Sequence, residues 1–544
     1  MTEPLQNVLF IMCDQLRFDA LSCSGGVVDT PNIDALAARG VRFDRAFVQG
    51  SVCGSSRMSA YTGRYVQSHG SRYNGVPLPI GERTIGDHLQ PLGVRSVLVG
   101  KTHMIRDHSG LDRLRLDRTD PAIRVINHCG FEPLERDDGL VPNAYPQRFD
   151  RGYNRFLIEN GYDGPNPWHT VANSVLGPDG ERISGWLLEA SRYPAIVPDE
   201  LSETAYMTDR AIEFIRDAGD ERWCLHLSYI KPHWPYVVSD PYHRLVHPND
   251  LPAPNRSEAE LETSHPVVRA FHRSRIGRAF SREDVRRTVY PAYYGLVKQL
   301  DDHLGRLFAE LGALGRDRDT LIVLTSDHGD YLGDHWMGEK DWLHEEVVRV
   351  PLIVVDPRPA ADVTRGSTSD DLVEMIDLAP TFIDGLGGDS APNVWLEGQS
   401  LEGLIHGTAA DHDQVVVCES EFSLMEMVNE LPPGPRSSRR ATMIRTPRHK
   451  YILSETGPNL LYDLHDEPAE LTDRIDDRAL VSVQAELHER LFEWYRARSH
   501  ELTWRPGDGD IPRYDGMDAE VDGVLIGYWD ESEVPPAAVP NIGD

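Results

Sequence analysis

Short, unbroken apolar runs recur along the chain and alternate with longer amphipathic stretches. The first run, at residues 7–14, reads Asn-Val-Leu-Phe-Ile-Met-Cys-Asp and ends at a carboxylate. Such runs are typical of strands buried on both faces of a parallel sheet. Similar runs predict further strands at residues 95–99, 223–229, 320–325, 351–355 and 414–418.

Helices are predicted between most of these strands. A helix at 31–39 is followed by Gly40, a common helix terminator. Longer helices are predicted at residues 202–217, 284–314 and 482–498. The helix at 284–314 leads directly into the strand at 320–325, as a crossover connection requires. This alternation predicts an α/β fold with a large, mainly parallel central sheet sandwiched by helices.

Changes in composition suggest how the chain is organised. We expect a catalytic α/β domain at 1–400, with insertions near 105–185 and 239–280 that shape the substrate pocket or make oligomer contacts. A hairpin pattern near 443–453 predicts a smaller C-terminal α+β lobe at 401–504. The segment 505–544 is rich in Pro, Gly and acidic residues, and is either a disordered tail or one that docks on a partner subunit of a homo-oligomer.

Charge and cysteine content exclude several classes of protein. The 544 residues carry a net charge of −32, which disfavours nonspecific binding to nucleic acid or to an anionic membrane. The six cysteines are scattered without the spacing of a zinc site or a disulfide framework. The N-terminus has no basic region, and the apolar run after it is too short for a signal or membrane segment, so we predict a cytoplasmic protein.

The segment 51–64 carries the most specific chemical signal. Cys53 stands just before a predicted helix, and Arg57 and Arg64 follow it. A helix N-terminus and a neighbouring cation both favour an anionic or electron-rich group, which is consistent with a nucleophile in an anion site. The alternative is an ordinary scaffold helix with a serine N-cap and a glycine terminator.

Carboxylates and an imidazole follow two of the predicted strands. Asp14 ends the first strand, and Asp327 and His328 follow the strand at 320–325. Loops at the carboxyl ends of parallel strands converge on the ligand site, so these side chains are expected to meet. A hard divalent cation would explain the cluster, because buried carboxylates are costly without one. Asp14 alone could equally be a turn or helix-capping aspartate.

The spacing of Cys53, Arg57 and Thr62-Gly63-Arg64 resembles the sulfatase signature. With the segment 325–330, the resemblance extends to the type I sulfatase and phosphonate monoester hydrolase branch of the alkaline phosphatase superfamily, over about residues 7–473. It implies an alkaline-phosphatase-like fold and oxidation of Cys53 to formylglycine, whose hydrated diol supplies the attacking oxygen. Ser55 departs from the family pattern, which usually has Pro or Ala there.

The resemblance also implies a metal site. Asp14, Asp327 and His328 would bind one divalent ion, Ca²⁺, Mn²⁺ or Mg²⁺, together with the formylglycine at position 53. Gln15 stands where many sulfatases have a second aspartate, and would be a weaker or outer contributor.

Further residues are implied to bind the substrate. Lys101 and His103 would grip the sulfate oxygens and the nucleophile, and Asn74 would bind the substrate. His233 and Lys340 would act near the leaving group. Without the family, we would interpret Asn74 as a turn residue, His233 as a structural histidine and Lys340 as a solvated surface lysine.

These observations predict a formylglycine- and metal-dependent hydrolase of sulfate monoesters, arylsulfatase-like and promiscuous. Lys101 and His103 favour sulfate, because phosphonate hydrolases tend to carry Tyr and Thr at those places. The alternative is a phosphonate monoester or phosphate diester hydrolase with the same site. Cys53 and the single Asp-His pair argue against a metal-dependent phosphotransferase. A formylglycine-generating maturation enzyme is the implied protein partner.

Overall fold

The computed structural model describes residues 4–139, 151–263, 265–408, 412, 414–422, 431 and 439–500. The chain divides into two compact units, residues 1–491 and 492–544. The predicted tail at 505–544 lies outside the described residues. The domain boundaries expected near residues 400 and 504, and the roles of the two insertions, stay predictions.

An eight-stranded sheet forms the centre of the first unit, in the order β10-β2-β9-β8-β1-β7-β3-β4. Strand β9 alone among the eight runs antiparallel to its neighbours, so the predicted mainly parallel sheet is confirmed. The strands are β1 (Asn7–Asp14), β2 (Val41–Phe47), β3 (Arg95–Gly100), β4 (Glu132–Arg136), β7 (Trp223–Pro232), β8 (Thr320–Ser326), β9 (Arg349–Val355) and β10 (Ser367–Glu374).

Strand β1 shows why unbroken apolar runs suit this sheet. All of its residues are buried, and it pairs in parallel with β7 and β8. Val8, Phe10 and Met12 belong to one hydrophobic core, while Leu9 and Ile11 belong to another. Since successive side chains of a strand point to opposite faces, both faces of the sheet must be covered by apolar layers.

Helices supply those two layers. The described helices are α1 (Pro31–Ala37), α2 (Cys53–Thr62), α3 (Val66–His69), α4 (Ile85–Leu89), α5 (His108–Leu114), α6 (Pro121–Ile126), α7 (Gly152–Glu159), α8 (Glu203–Asp217), α9 (Pro266–Arg273), α10 (Arg275–Phe280), α11 (Glu283–Ala313), α12 (Glu345–Val348), α13 (Leu378–Gly385), α14 (Glu402–Ile405) and α15 (Val481–His500). Residues of α2 and α13 join one core, and residues of α8 and α11 join the other. The four predicted helices are confirmed as α1, α8, α11 and α15.

A smaller antiparallel sheet lies towards the C-terminus. It consists of β11 (Val416–Glu421), β12 (Arg440–Arg445), β13 (His449–Ser454) and β14 (Leu460–Asp463), in sequence order. Strands β12 and β13 form the predicted hairpin. The strand expected at 414–418 is present as β11, but it belongs to this second sheet and not to the central one.

The first predicted insertion contains more regular structure than its composition indicated. Strand β4 lies within it and pairs in parallel with β3, so it forms an edge of the central sheet. Pro133 is compatible with an edge strand, which leaves one side unpaired. A small hairpin of β5 (Ser174–Leu176) and β6 (Arg182–Ser184) lies in the same segment.

The six cysteines are all free, as their scattered spacing predicted, and five of them are buried. Within the part of the chain that the structure describes, no helix combines the length and apolarity needed to cross a bilayer.

Candidate active site

Four strands of the central sheet end at one place and carry the predicted chemistry there. Asp14 is the last residue of β1, and Asp327 follows β8. Lys101 follows β3, and His233 follows β7. Because these strands are parallel neighbours, their carboxyl ends share one edge of the sheet, where open α/β sheets bind ligands. Cys53 faces this edge as the first residue of α2.

Cys53 is buried and surrounded by charge. Its Sγ lies 3.1 Å from His328 Nε2 and 3.8 Å from Asp14 Oδ1. Burial by itself raises the pKa of the Cys53 thiol, but Lys101 and Lys340 outweigh it and bring that pKa well below its ordinary value. The position therefore stabilises an anionic atom, as the helix N-terminus and the downstream arginine led us to expect.

Arg57 organises the two carboxylates. Its guanidinium is fully buried, donates from Nε to Asp327 Oδ2 at 2.7 Å, and donates from its second terminal nitrogen to Asp14 Oδ2 at 3.0 Å. The other terminal nitrogen donates to Ser228 Oγ at 2.7 Å and to the Lys101 carbonyl at 3.1 Å. A planar guanidinium can make these contacts together, so Arg57 fixes both acids in relation to each other.

Four candidate metal ligands lie together. One donor atom from each of Asp14, Cys53, Asp327 and His328 can be chosen so that all lie within 4.8 Å of one another, and all four residues are buried. Arg57 takes the Oδ2 atoms of both carboxylates, which leaves their Oδ1 atoms 3.8 Å and 3.7 Å from His328 Nε2. His328 Nδ1 donates to the Gly329 carbonyl at 2.8 Å, so Nε2 is the nitrogen that can bind a metal.

A tight turn after β3 delivers Lys101 and His103. Gly100 has φ +107°, and a Cβ atom there would lie 2.0 Å from the Ser228 carbonyl oxygen. Lys101 Nζ is fully buried in a close ion pair with Asp14. The His103 amide donates to Asp138 Oδ1 at 3.0 Å, whereas its Nδ1 is buried without a hydrogen-bond partner. A substrate oxygen could supply the missing hydrogen-bond partner of this nitrogen beside the nucleophile.

Lys340 and His233 form a pair beside the nucleophile. Lys340 Nζ donates to His233 Nε2 at 2.9 Å and to Gln15 Oε1 at 2.9 Å. His233 Nδ1 donates to the Trp234 carbonyl at 2.7 Å, so the imidazole is neutral with its proton on Nδ1. Burial and Lys340 lower the pKa of His233 to about 4, which agrees with a neutral ring. Lys340 is 6% exposed, so the surface-lysine interpretation is wrong.

Gln15 and Asn74 have protein partners in this structure. Besides accepting from Lys340, Gln15 donates from Nε2 to Tyr236 and to Asp330. Both ends of its side-chain amide therefore have protein partners, and its role as a metal ligand stays a prediction. Asn74 Oδ1 accepts from the Gly54 amide at 2.7 Å, so it stabilises the first turn of α2.

Several residues of the site were not singled out from the sequence. Tyr236 donates to Asp330 Oδ2 at 2.6 Å and joins the Gln15 network, while Asp138 positions the turn that carries His103. Tyr236 stands three residues after His233, and Asp330 ends the segment 325–330, so their closeness in the chain to predicted site residues was the available signal. Asp138 had none, because it lies within the predicted insertion.

Comparison with known proteins assigns this chain to a family. A family model described as Sulfatase matches residues 6–388. The chain belongs to the sulfatase family. A second model, N-sulphoglucosamine sulphohydrolase, C-terminal, matches residues 333–497. Membership confirms the predicted alkaline-phosphatase-superfamily fold and enzyme class, a hydrolase of sulfate or phosphonate esters.

Relatives of both ester types cover most of this sulfatase-family chain. It is 28% identical to the multifunctional alkaline phosphatase superfamily protein PehA of Trinickia caryophylli, over 92% of this chain and 99% of that protein. It is 27% identical to an arylsulfatase of Clostridium perfringens, over 86% and 90% of the two chains. The solved phosphonate monoester hydrolase of Silicibacter pomeroyi has a TM-score of 0.79 and 28% identity, and covers 92% of this chain and 97% of its own.

Proposed function

We propose that this protein hydrolyses sulfate monoesters with an oxidised Cys53 and one divalent metal ion, and that it also accepts phosphonate monoesters. The observation that carries the proposal is the enclosure of Cys53 by two carboxylates, one imidazole and three buried cations. Such a site suits a tetrahedral anion attacked at its centre.

A metal ion fits the residues that are present. Asp14, Asp327 and His328 offer two carboxylate oxygens and one ring nitrogen, and residue 53 offers a fourth donor. Oxygen ligands with one nitrogen suit Ca²⁺, Mn²⁺ or Mg²⁺. When bound, such an ion would act as a Lewis acid that withdraws charge from the reacting anion. Formylglycine at position 53 would supply the oxygen nucleophile in place of the thiol.

The chain's own cations would hold the substrate. Lys101 Nζ and Lys340 Nζ flank Cys53 from separate segments, and His103 Nδ1 has a free donor or acceptor position. These groups can donate to the non-bridging oxygens of the ester, where charge accumulates in the transition state. Arg57 uses its nitrogens on protein acceptors, so we assign it to positioning the acids and not to contact with the substrate.

Departure of the alcohol requires a proton. Lys340 carries it on Nζ, since burial would lower the pKa of this lysine but Cys53 and Glu339 keep it above its ordinary value. His233 Nε2 accepts a hydrogen bond from Lys340 Nζ at 2.9 Å and so orients the ammonium group. Transfer of one Nζ proton to the leaving oxygen would complete the alcohol and leave Lys340 neutral. We therefore propose that the pair acts together as the general acid.

Preference between the two ester types rests on different residues. Lys101 and His103 favour sulfate, as the family pattern implies. Gln15 and the similarity to a phosphonate monoester hydrolase favour the phosphonate, which is the second candidate. Both groups are tetrahedral and carry one negative charge near neutral pH, so promiscuity is the natural expectation.

The test compares hydrolysis of an aryl sulfate and the matching aryl phosphonate monoester by protein in which oxidation of residue 53 has been quantified by peptide mass spectrometry. We expect kcat/KM to favour the sulfate, and chelation to abolish turnover of both until metal is restored. Cys53→Ser should lose at least about a hundredfold in rate. Cys224→Ser is the matched control, because Cys224 is buried in β7 away from these contacts.

Each outcome has a distinct meaning. A phosphonate preference would reverse the substrate assignment but keep the mechanism. Fully oxidised, metal-loaded protein that is inactive on both esters would refute the function. Cys53 is 1% exposed, so its maturation enzyme, the proposed protein partner, would need access before this region folds. The homo-oligomer and the cytoplasmic location remain untested proposals.

A further inference from the structure

A large cavity opens beside the proposed general acid pair. Its volume is ≈ 780 Å³, within the range of about 300–1,000 Å³ typical of small-molecule sites. Its apolar wall is formed by Trp186, Leu187, Leu188, Trp234, Ile276 and Phe280. Leu187 is 53% exposed, so part of this wall faces solvent.

In two short segments, a residue that lines the cavity is the sequence neighbour of a proposed catalytic residue. Trp234 lines the cavity and follows His233, and their ring centroids are 4.9 Å apart. Glu339 also lines it and precedes Lys340. Since Lys340 and His233 bond to each other, the cavity lies on the side of the site where an alcohol would leave.

Two segments far apart in the chain build the wall. Residues 185–192 begin where the first predicted insertion ends, and residues 275–288 begin within the second and continue beyond it. The Trp186 and Trp234 rings meet edge to face with centroids 4.9 Å apart, which gives the cavity a rigid aromatic corner.

The charges around the cavity balance. The described lining residues include three arginines, Arg192, Arg275 and Arg282, and three acids, Glu189, Asp284 and Glu339. Balanced charge offers little net attraction to a strongly charged group, whereas the tryptophans and leucine side chains favour a flat apolar one.

We infer that this cavity binds the alcohol portion of the ester and selects bulky, uncharged aromatic leaving groups. The inference rests on the proposed function for the reacting group, but the cavity can be tested separately. A one-ring ester would fill little of the space, and a fused two-ring ester would reach the tryptophan corner.

The experiment uses the metal-loaded full chain and two aryl sulfates of similar phenol acidity, 4-nitrophenyl sulfate and 4-methylumbelliferyl sulfate. Leu187→Asp and Ile276→Asp place a charge in the apolar wall at exposed or half-buried positions. Each should lower kcat/KM for the two-ring ester by about tenfold or more, and for the one-ring ester by less than about threefold. Leu176→Asp is the matched control, since Leu176 is 49% exposed, close to the 53% of Leu187, and is not among the residues that line the cavity.

A second measurement is independent of catalysis. Binding of free 4-methylumbelliferone, followed by quenching of tryptophan fluorescence, should weaken about tenfold in both variants and stay unchanged in Leu176→Asp. Equal loss of activity on both esters, or unchanged binding of the phenol, would overturn the inference. If the wild type hydrolyses neither ester yet binds the phenol in this variant-dependent way, the cavity assignment stands and the proposed function fails.

Discussion

Replacement of Arg57 by lysine tests the central feature of the site. The substitution keeps one positive charge and most of the side-chain length. It removes the planar guanidinium, which donates to Asp14 at 3.0 Å and to Asp327 at 2.7 Å. The same group also donates to Ser228 and to the Lys101 carbonyl. A single ammonium group cannot reproduce this geometry.

The expected loss follows from those contacts. Lysine would give up at least two buried hydrogen bonds to charged groups, each worth about 1.5–3 kcal/mol. The stability of the folded chain should therefore fall by about 3–6 kcal/mol, a large share of the roughly 5–15 kcal/mol that a typical protein has. The carboxylates would also separate, so activity should fall by at least about a hundredfold.

Thermal unfolding of metal-free protein measures the structural part of this prediction. Arg216→Lys is the matched control, because Arg216 makes a bidentate pair with Glu310 at 2.7 Å and 2.8 Å on the surface. Solvent screens an exposed pair, so the control should change Tm little. If Arg57→Lys melts within about 1 °C of Arg216→Lys, the bridging role assigned to Arg57 is refuted.

Two further substitutions test the surroundings of the site. Gly100→Ala should lower Tm at least twice as far as Gly93→Ala. Both glycines have positive φ, but of the two only Gly100 would place a Cβ against a carbonyl oxygen, 2.0 Å away. Equal losses of Tm would contradict this. His335→Gln should destabilise most at about pH 6. Burial lowers the pKa of His335, but Glu346 and Glu260 together raise it to about 10, so its stabilisation is complete below the unfolded value of 6.5 and is lost as pH rises towards 10. A Tm difference from wild type that is constant between those pH values would contradict the assignment.

Local signals predicted much of the site, because its residues stand at the ends of strong patterns. Asp14, Lys101, His233 and Asp327 each follow an apolar run, and parallel strands bring such positions to one edge. Lys340 had no such signal of its own. It is buried because Gln15 and His233, more than a hundred residues away, accept its hydrogen bonds.

The sequence by itself determined five of the eight central strands, the long helices and the types of residue at the strand ends, because apolar periodicity and capping act over a few neighbouring residues. Strands β2, β4 and β10 were not predicted from it. Tertiary structure alone decided that β11 joins a second sheet, that β4 extends the first, and that Arg57 bridges two acids carried by different strands. It also brought Trp186 and Ile276 into one cavity wall. These features depend on contacts between segments far apart in the chain, where packing and charge pairing determine which partners meet.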